Sequence, residues 1–259
     1  MSDADPLTRS VECLADAQRV VVLTGAGMSR ESGVPTFRDA LTGLWSRYDP
    51  MQLATPEAFD RNPSLVFGWY FERWRRARAV SPHAGHHALV RLASRVERFT
   101  IITQNVDGLH QRAGSAEVIE LHGSLEGFRC SDGGHPWDPS QFDAPVRTDH
   151  STAAPVCDAC GAPIRPGVVW FGEALPADAV RAAWASVEVA DAVLVVGTSA
   201  IVYPAAELPL VAQRQGASVI EINPDPTPFS QTATVAWIER AGAALPALAK
   251  RLEKTESDE

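Results

Sequence analysis

Residues 19–33 read Arg19-Val20-Val21-Val22-Leu23-Thr24-Gly25-Ala26-Gly27-Met28-Ser29-Arg30-Glu31-Ser32-Gly33. An apolar run thus breaks into glycines, and then into a polar segment. A buried strand that ends this way suits a phosphate, because glycine carries no Cβ and lets backbone N–H groups approach an anion. A second strand-like run, Phe99-Thr100-Ile101-Ile102, ends in Thr103-Gln104-Asn105-Val106-Asp107-Gly108-Leu109-His110. Two such strand ends side by side would set a nucleotide among amide, carboxylate and imidazole groups.

Working outward, further apolar strand candidates lie at 117–121, 192–197 and 218–222, with helical patterns at His86–Val96 and Ala177–Val189 between them. Strand and helix alternating in this way predict a parallel sheet covered on both faces. Residues 37–83, rich in Trp, Arg and Pro, read as short helices and loops. Residues 124–167 hold three of the four cysteines and too few apolar residues for a core of their own, so they need a staple. The expected division is a nucleotide-binding domain of 1–36, 84–123 and 168–259, a helical insertion at 37–83 and a small, zinc-type insertion at 124–167.

The chain's 259 residues suffice for a full core, and its formal net charge of −9 argues against a generic nucleic-acid binder. The start, Met1-Ser2-Asp3-Ala4-Asp5-Pro6, is not expected to be a signal peptide. No apolar run approaches the roughly 18 residues of a membrane span. Cys157-Asp158-Ala159-Cys160 suggests a metal site or redox pair in a reducing cytoplasm. Cys13 reads as a small buried hydrophobe in an N-terminal helix.

Gly25-Ala26-Gly27 would start a dinucleotide fingerprint, but the third glycine position holds Arg30, and no strand precedes Asp49 to supply the usual ribose-binding acid. The glycine pair alone fits an ordinary strand-to-helix turn equally well. More specific is the whole series. Gly25-Ala26-Gly27-x-Ser29-x-x-Ser32-Gly33-x-Pro35-x-Phe37-Arg38, Thr103-Gln104-Asn105-Val106-Asp107-x-Leu109-His110, Leu121-His122-Gly123, Val168-Val169-Trp170-Phe171-Gly172-Glu173, Gly197-Thr198-Ser199 and Ile222-Asn223-Pro224 occur in that order. Together they resemble the motifs of the sirtuins, NAD-dependent protein-lysine deacylases, over nearly the whole chain.

That resemblance implies a Rossmann-like, doubly wound parallel sheet with a smaller domain made of the two insertions. It implies removal of acyl groups from protein lysines, with release of nicotinamide and O-acyl-ADP-ribose. The reaction needs an amide held in line with the ribose carbon, exclusion of water, and one neutral imidazole near pH 7. His122 takes the role of that base, and Asn105 and Asp107 stand with it as catalytic residues around the nicotinamide and its ribose. The implied cofactor contacts are Gly25, Ala26, Gly27, Ser29, Gly33, Phe37, Arg38, Trp45 and Gln104, then Gly197, Thr198, Ser199, Asn223, Pro224, Asp225 and Ala241 toward the adenosine. Val169, Phe171 and Gly172 would take the peptide.

Tyr70 and Arg73 lie three apart, which on a helix places both on one face, where a phenol and a guanidinium can receive one carboxylate. The desuccinylating branch of the family carries Tyr-x-x-Arg here, so succinyl and malonyl groups are expected ahead of acetyl. Ala54 matches a small residue that leaves room for the longer chain. The contrasting reading of this pair is an ordinary amphipathic helix in which Tyr packs and Arg snorkels, which the resemblance makes the minority view.

The family's structural zinc usually has two Cys-x-x-Cys pairs. Cys157 and Cys160 form one, while Cys130-Ser131-Asp132-Gly133-Gly134-His135 lacks the second cysteine of the other. Three thiolates plus His135 would satisfy tetrahedral zinc; the alternative is a site that has lost its metal and survives on packing. The run Arg73-Trp74-Arg75-Arg76-Ala77-Arg78 reads as a solvated helix face, and His83, His86 and His87 as helix-start packing. A monomer acting on acyl-lysine proteins is expected, with no stable binding to nucleic acid or membrane. The contrasting reading is an NAD-binding mono-ADP-ribosyltransferase or a non-catalytic NAD sensor.

Overall fold

The structure, a computed structural model, describes residues 5–34, 53–143, 153–199 and 202–257. Along the chain come α1 (Pro6–Leu14), β1 (Arg19–Thr24) and α2 (Ala26–Arg30), then α3 (Pro56–Arg61), α4 (Pro63–Ala79) and α5 (Ala84–Ala93). Next are β2 (Arg98–Thr103), α6 (Leu109–Ala113), β3 (Val118–Glu120), β4 (Gly123–Cys130) and β5 (Ile164–Val168). The chain continues through α7 (Ala177–Glu188), β6 (Ala192–Val196), α8 (Leu208–Arg214), β7 (Ser218–Asn223), β8 (Val235–Ile238) and α9 (Ala241–Ser257).

Six strands form one sheet in the order β3-β2-β1-β6-β7-β8, and every neighbouring pair is parallel. The strand residues are Val- and Ile-rich because both faces are covered. Successive side chains split between two cores. Val20, Val22, Leu194 and Ile220 pack toward α1, α5 and α9, while Val21, Leu23, Val195 and Val219 pack toward α7 and α8. A slip of one residue would exchange the two sets, so the helices on each face fix the register.

The winding reverses between β1 and β6. From β1 the chain goes out to β2 and β3; from β6 it goes out the other way to β7 and β8. In open α/β sheets the crevice beyond the strands' carboxyl ends at such a point receives the ligand.

A third core joins the two insertions. Phe59, Phe67, Trp69 and Phe71 from the helices meet Phe128, Cys130, Cys157 and Ile164 from the segment around the antiparallel β4–β5 pair. The described residues of these two segments thus share one core. The short helices expected before residue 84 include one of 17 residues, α4. Asn62 caps it by accepting from Leu65 N–H, Pro63 opens it, and burial of Val66, Phe67, Trp69, Tyr70, Phe71, Trp74 and Ala77 holds it on several sides. Val66–Phe71 are buried on every side of the helix, and this tertiary packing overrides the weak sequence periodicity.

Candidate functional site

The crevice at the switch point opens into a cleft of about 1250 Å³. Its floor is a crossing of two glycine turns, after β1 and after β6. Gly25 N–H donates to Val196 O at 3.1 Å, and Gly27 N–H donates to Gly197 O at 2.8 Å. A Cβ on Gly25 would sit 2.7 Å from Thr198 Cβ, and one on Gly27 would sit 2.7 Å from Gly197 O. Gly197 has φ +60, and its own Cβ would meet Met28 N at 2.3 Å. These glycines therefore serve the approach of one turn to the other.

Above them lies a buried polar chain. Asn105 Nδ2 donates to Gly25 O at 2.9 Å and to Ser29 Oγ at 3.0 Å, and Ser29 Oγ donates to Asp107 Oδ2 at 2.7 Å. Asp107 Oδ1 accepts from Leu109 N–H at 3.0 Å. Burial raises the Asp107 pKa, opposed by its bonds to Ser29 and the backbone. Gln104 Nε2 donates to Thr198 Oγ1 at 3.1 Å, and Asn223 Nδ2 donates to Thr198 O at 2.8 Å, so the turn after β6 is braced from both sides.

His122 follows β3 and borders the cleft. Its Nδ1 lies 3.1 Å from Gln104 O, an acceptor only, so Nδ1 carries the proton and Nε2 keeps its lone pair. Burial lowers its pKa below the usual histidine range, partly countered by the bond to Gln104. A neutral imidazole with a free Nε2 is the form a general base needs.

At the other end of the cleft stand Ala54, Trp69, Tyr70 and Arg73, facing Val168–Gly172. Desolvation pushes the Tyr70 pKa up and the Arg73 pKa down, with each group's charge opposing the other's shift. The Arg73 guanidinium stacks 5.1 Å from the Trp69 ring centroid. The basic run is thus not one solvated face. Arg73 turns into the cleft, Trp74 and Ala77 are buried, Arg76 pairs with Glu72, and Arg78 pairs with Glu126. The wall opposite is pinned by Val169 N–H to His122 O at 2.8 Å and Phe171 N–H to Ala54 O at 2.9 Å.

Cys130, His135, Cys157 and Cys160 bring their ligand atoms within 4.8 Å of one another. Cys130 Sγ and Cys160 Sγ are 3.8 Å apart, and His135 Nδ1 lies 3.3 Å from Cys130 Sγ and 3.4 Å from Cys157 Sγ. Zn–S bonds of about 2.3 Å in a tetrahedron put sulfurs about 3.8 Å apart, so the donor set fits zinc. His135 supplies the ligand that the missing cysteine would have given. The loop allows it because Gly134 adopts φ +66 and a Cβ on Gly133 would strike the His135 ring at 2.5 Å.

Several expected residues stand elsewhere. Gly33, Asn223, Pro224, Asp225 and Ala241 do not line the cleft, and Phe37, Arg38 and Trp45 lie outside the described residues. His83 and His86 form a capping box at the start of α5, as helix-start packing requires. Cys13 is half-buried against the core below α1. Sequence reasoning passed over Trp69, Val106 and Leu125, which also line the cleft. Only the mixture of aromatic and basic residues around Trp69 hinted at it.

The Sir2 family model matches residues 25–204. The chain is 48% identical over 244 residues to NAD-dependent protein deacylase 1 of Pseudomonas aeruginosa, covering 93% of this chain and 97% of that one. It is 50% identical over 234 residues to the NAD-dependent protein deacylase of Mycobacterium tuberculosis, covering 90% and 98%. A solved Sir2 homologue in complex with NAD superposes with a TM-score of 0.88 at 42% identity, covering 96% of this chain and 94% of that one. A mutant Sir2 homologue holding 2'-O-acetyl ADP ribose gives 0.87 at 42% identity, covering 99% and 98%.

Proposed function

The chain belongs to the Sir2 family and is an NAD-dependent protein deacylase, and from that premise we propose that it acts on acidic acyl groups of protein lysines, succinyl and malonyl ahead of acetyl. The observation that carries the preference is Arg73, which turns into the acyl end of the cleft beside Tyr70 on one face of α4. A guanidinium beside a phenol can receive a carboxylate brought in with the substrate through a charge-assisted, bidentate contact. Acetyl brings none.

The remaining residues divide the work. Gly25, Ala26, Gly27 and the turn at Gly197–Ser199 would hold the pyrophosphate, and Gln104, Asn105 and Asp107 the nicotinamide riboside. NAD supplies an anomeric carbon bearing a cationic leaving group that departs without protonation. His122 accepts a proton at Nε2, its tautomer fixed by Gln104 O. Asn105 and Ser29 keep the Asp107 carboxylate in place by the chain of bonds described above. Val168–Gly172 and Trp69 close the acyl end against water. Cys130, His135, Cys157 and Cys160 would hold a structural zinc under the third core, away from the cleft.

The test is kcat/KM on one peptide bearing succinyl-, malonyl- or acetyl-lysine, with Arg73→Met as the variant. Wild type should prefer the acidic groups. Arg73→Met should lose at least about tenfold on succinyl-lysine, equivalent to roughly 1.4 kcal/mol for a charge-assisted pair, and spare acetyl-lysine. Equal losses on both substrates would mean that Arg73 supports the fold.

A further inference from the structure

The wall opposite Tyr70 is built on an ion pair between Arg165 and Glu173, and Glu173 itself borders the cleft. Arg165, on β5, donates from Nη1 to Glu173 Oε1 at 2.7 Å and from Nη2 to Glu173 Oε2 at 2.9 Å. The two side chains are only 10% and 24% exposed. The same guanidinium lies 3.5 Å from the Trp170 ring centroid and donates from Nη2 to Val168 O at 3.3 Å. Glu173 Oε2 also accepts from Trp170 N–H at 2.8 Å, and Glu173 N–H donates to Trp170 O at 3.1 Å. Both carboxylate oxygens are therefore engaged inside the protein.

What this grips is Trp170. Its indole is buried, with Arg165 on the ring, Phe59 at 5.3 Å and Tyr70 at 6.3 Å between centroids. The indole N–H lies near the Tyr70 hydroxyl without an aligned hydrogen bond. Tyr70 and Trp170 both line the cleft. We propose that Arg165 and Glu173 are positioning residues for the acyl-lysine: acting through Trp170, they fix the aromatic wall against which Tyr70 and the acyl chain are set. This rests on the reading that Val168–Gly172 receives the acyl-lysine peptide.

A salt bridge this well covered contributes little net stability against an apolar replacement, whereas removing one partner alone strands a buried charge. The pair's geometric demands are greater. A planar fork can hold two carboxylate oxygens and cover a ring at once, and an ammonium cannot. Stability and positioning therefore separate in the right variants.

The experiment compares Arg165→Met, the double variant Arg165→Met/Glu173→Gln and Arg165→Lys with wild type. It reads KM for a succinyl-lysine peptide, KM for NAD and the melting temperature. Arg165→Met alone should melt lower. The double variant should regain a melting temperature within about 2 °C of wild type, yet keep a peptide KM raised at least about fivefold with KM for NAD unchanged. Arg165→Lys, which retains the charge, should fold and still raise the peptide KM at least about threefold. A wild-type peptide KM in a folded double variant or in Arg165→Lys overturns the inference, as does a matching rise in KM for NAD. Phe171→Ala tests the underlying reading separately. If it raises the peptide KM and the positioning variants do not, the inference alone fails; if it leaves the peptide KM unchanged, the reading of the wall fails.

Discussion

Gly27→Ala should damage both stability and cofactor binding, through a collision that can be sized. The added Cβ would lie 2.7 Å from Gly197 O, 2.8 Å from Gly197 Cα and 3.0 Å from Gly197 C. All three are backbone atoms of a braced turn, so no side chain can swing aside. Reaching an ordinary contact of about 3.4 Å requires the turns to part by about 0.7 Å, enough to weaken the Gly27 N–H to Gly197 O bond now at 2.8 Å. Overpacking costs about 1–3 kcal/mol and a compromised buried hydrogen bond about 1 kcal/mol or more. The sum, roughly 2–4 kcal/mol, corresponds to a fall in melting temperature of at least about 5 °C for a chain of this size. Because the same turns would cradle the pyrophosphate, calorimetric titration with ADP-ribose should show at least about tenfold weaker binding. Gly68→Ala is the control of opposite sign. Gly68 is buried within α4, a Cβ there meets nothing within 4 Å, and the helix should gain about 0.5–1 kcal/mol. Unchanged melting and unchanged ADP-ribose affinity in Gly27→Ala would refute the crossing-turn argument.

Two further outcomes follow from the buried groups and the cysteine cluster. Protein purified without chelator should contain about one zinc per chain, and chelation or Cys157→Ser should remove it and lower the melting temperature; metal-free protein of unchanged stability would retire the site. Burial pulls His110 down to about 4 from 6.5. Between those values the unfolded chain binds a proton that the folded one excludes. Stability should therefore fall as pH drops from about 6.5 to 4, by on the order of 3 kcal/mol. Urea midpoints across that range should depend less steeply on pH in His110→Asn, the remaining slope coming from His86 and His122, which burial also lowers; identical slopes in variant and wild type would contradict the assignment.

The strands at the centre of the sheet were legible because they are buried on both faces and so appear as unbroken apolar runs, Val20–Leu23 and Ala192–Val196 among them. Strand β8 was not, since Val235–Ile238 is four residues at an edge with a partly exposed pattern. The long α4 hid for a different reason: its first half is apolar on every side and its second half is rich in arginine, so no single polar face runs along it. At the site, Gly25, Asn105, Asp107 and His122 could be named from motif order, and all border the cleft. The role of Asn223 was less readable. Its amide is spent on Thr198 O, a tertiary bond that no local spacing encodes. Arg165 lay unremarked, and Glu173 stood only as the end of a motif, for the same reason: they are eight residues apart across a turn whose folding alone brings them together. His135 shows the converse. Its candidacy followed from the resemblance and from tetrahedral zinc's need of a fourth ligand, and Gly133 and Gly134 make it geometrically possible.

The most direct test is a product balance on a succinyl-lysine peptide with NAD, comparing wild type with His122→Ala. Wild type should release nicotinamide, deacylated lysine and O-succinyl-ADP-ribose in equal amounts, and no nicotinamide when the peptide carries free lysine. His122→Ala should keep ADP-ribose affinity and lose about 10²–10⁴-fold in turnover, the usual contribution of a positioned general base. Nicotinamide release that ignores the acyl group, ADP-ribose transferred to protein, or His122→Ala turnover within a few-fold of wild type would contradict the account.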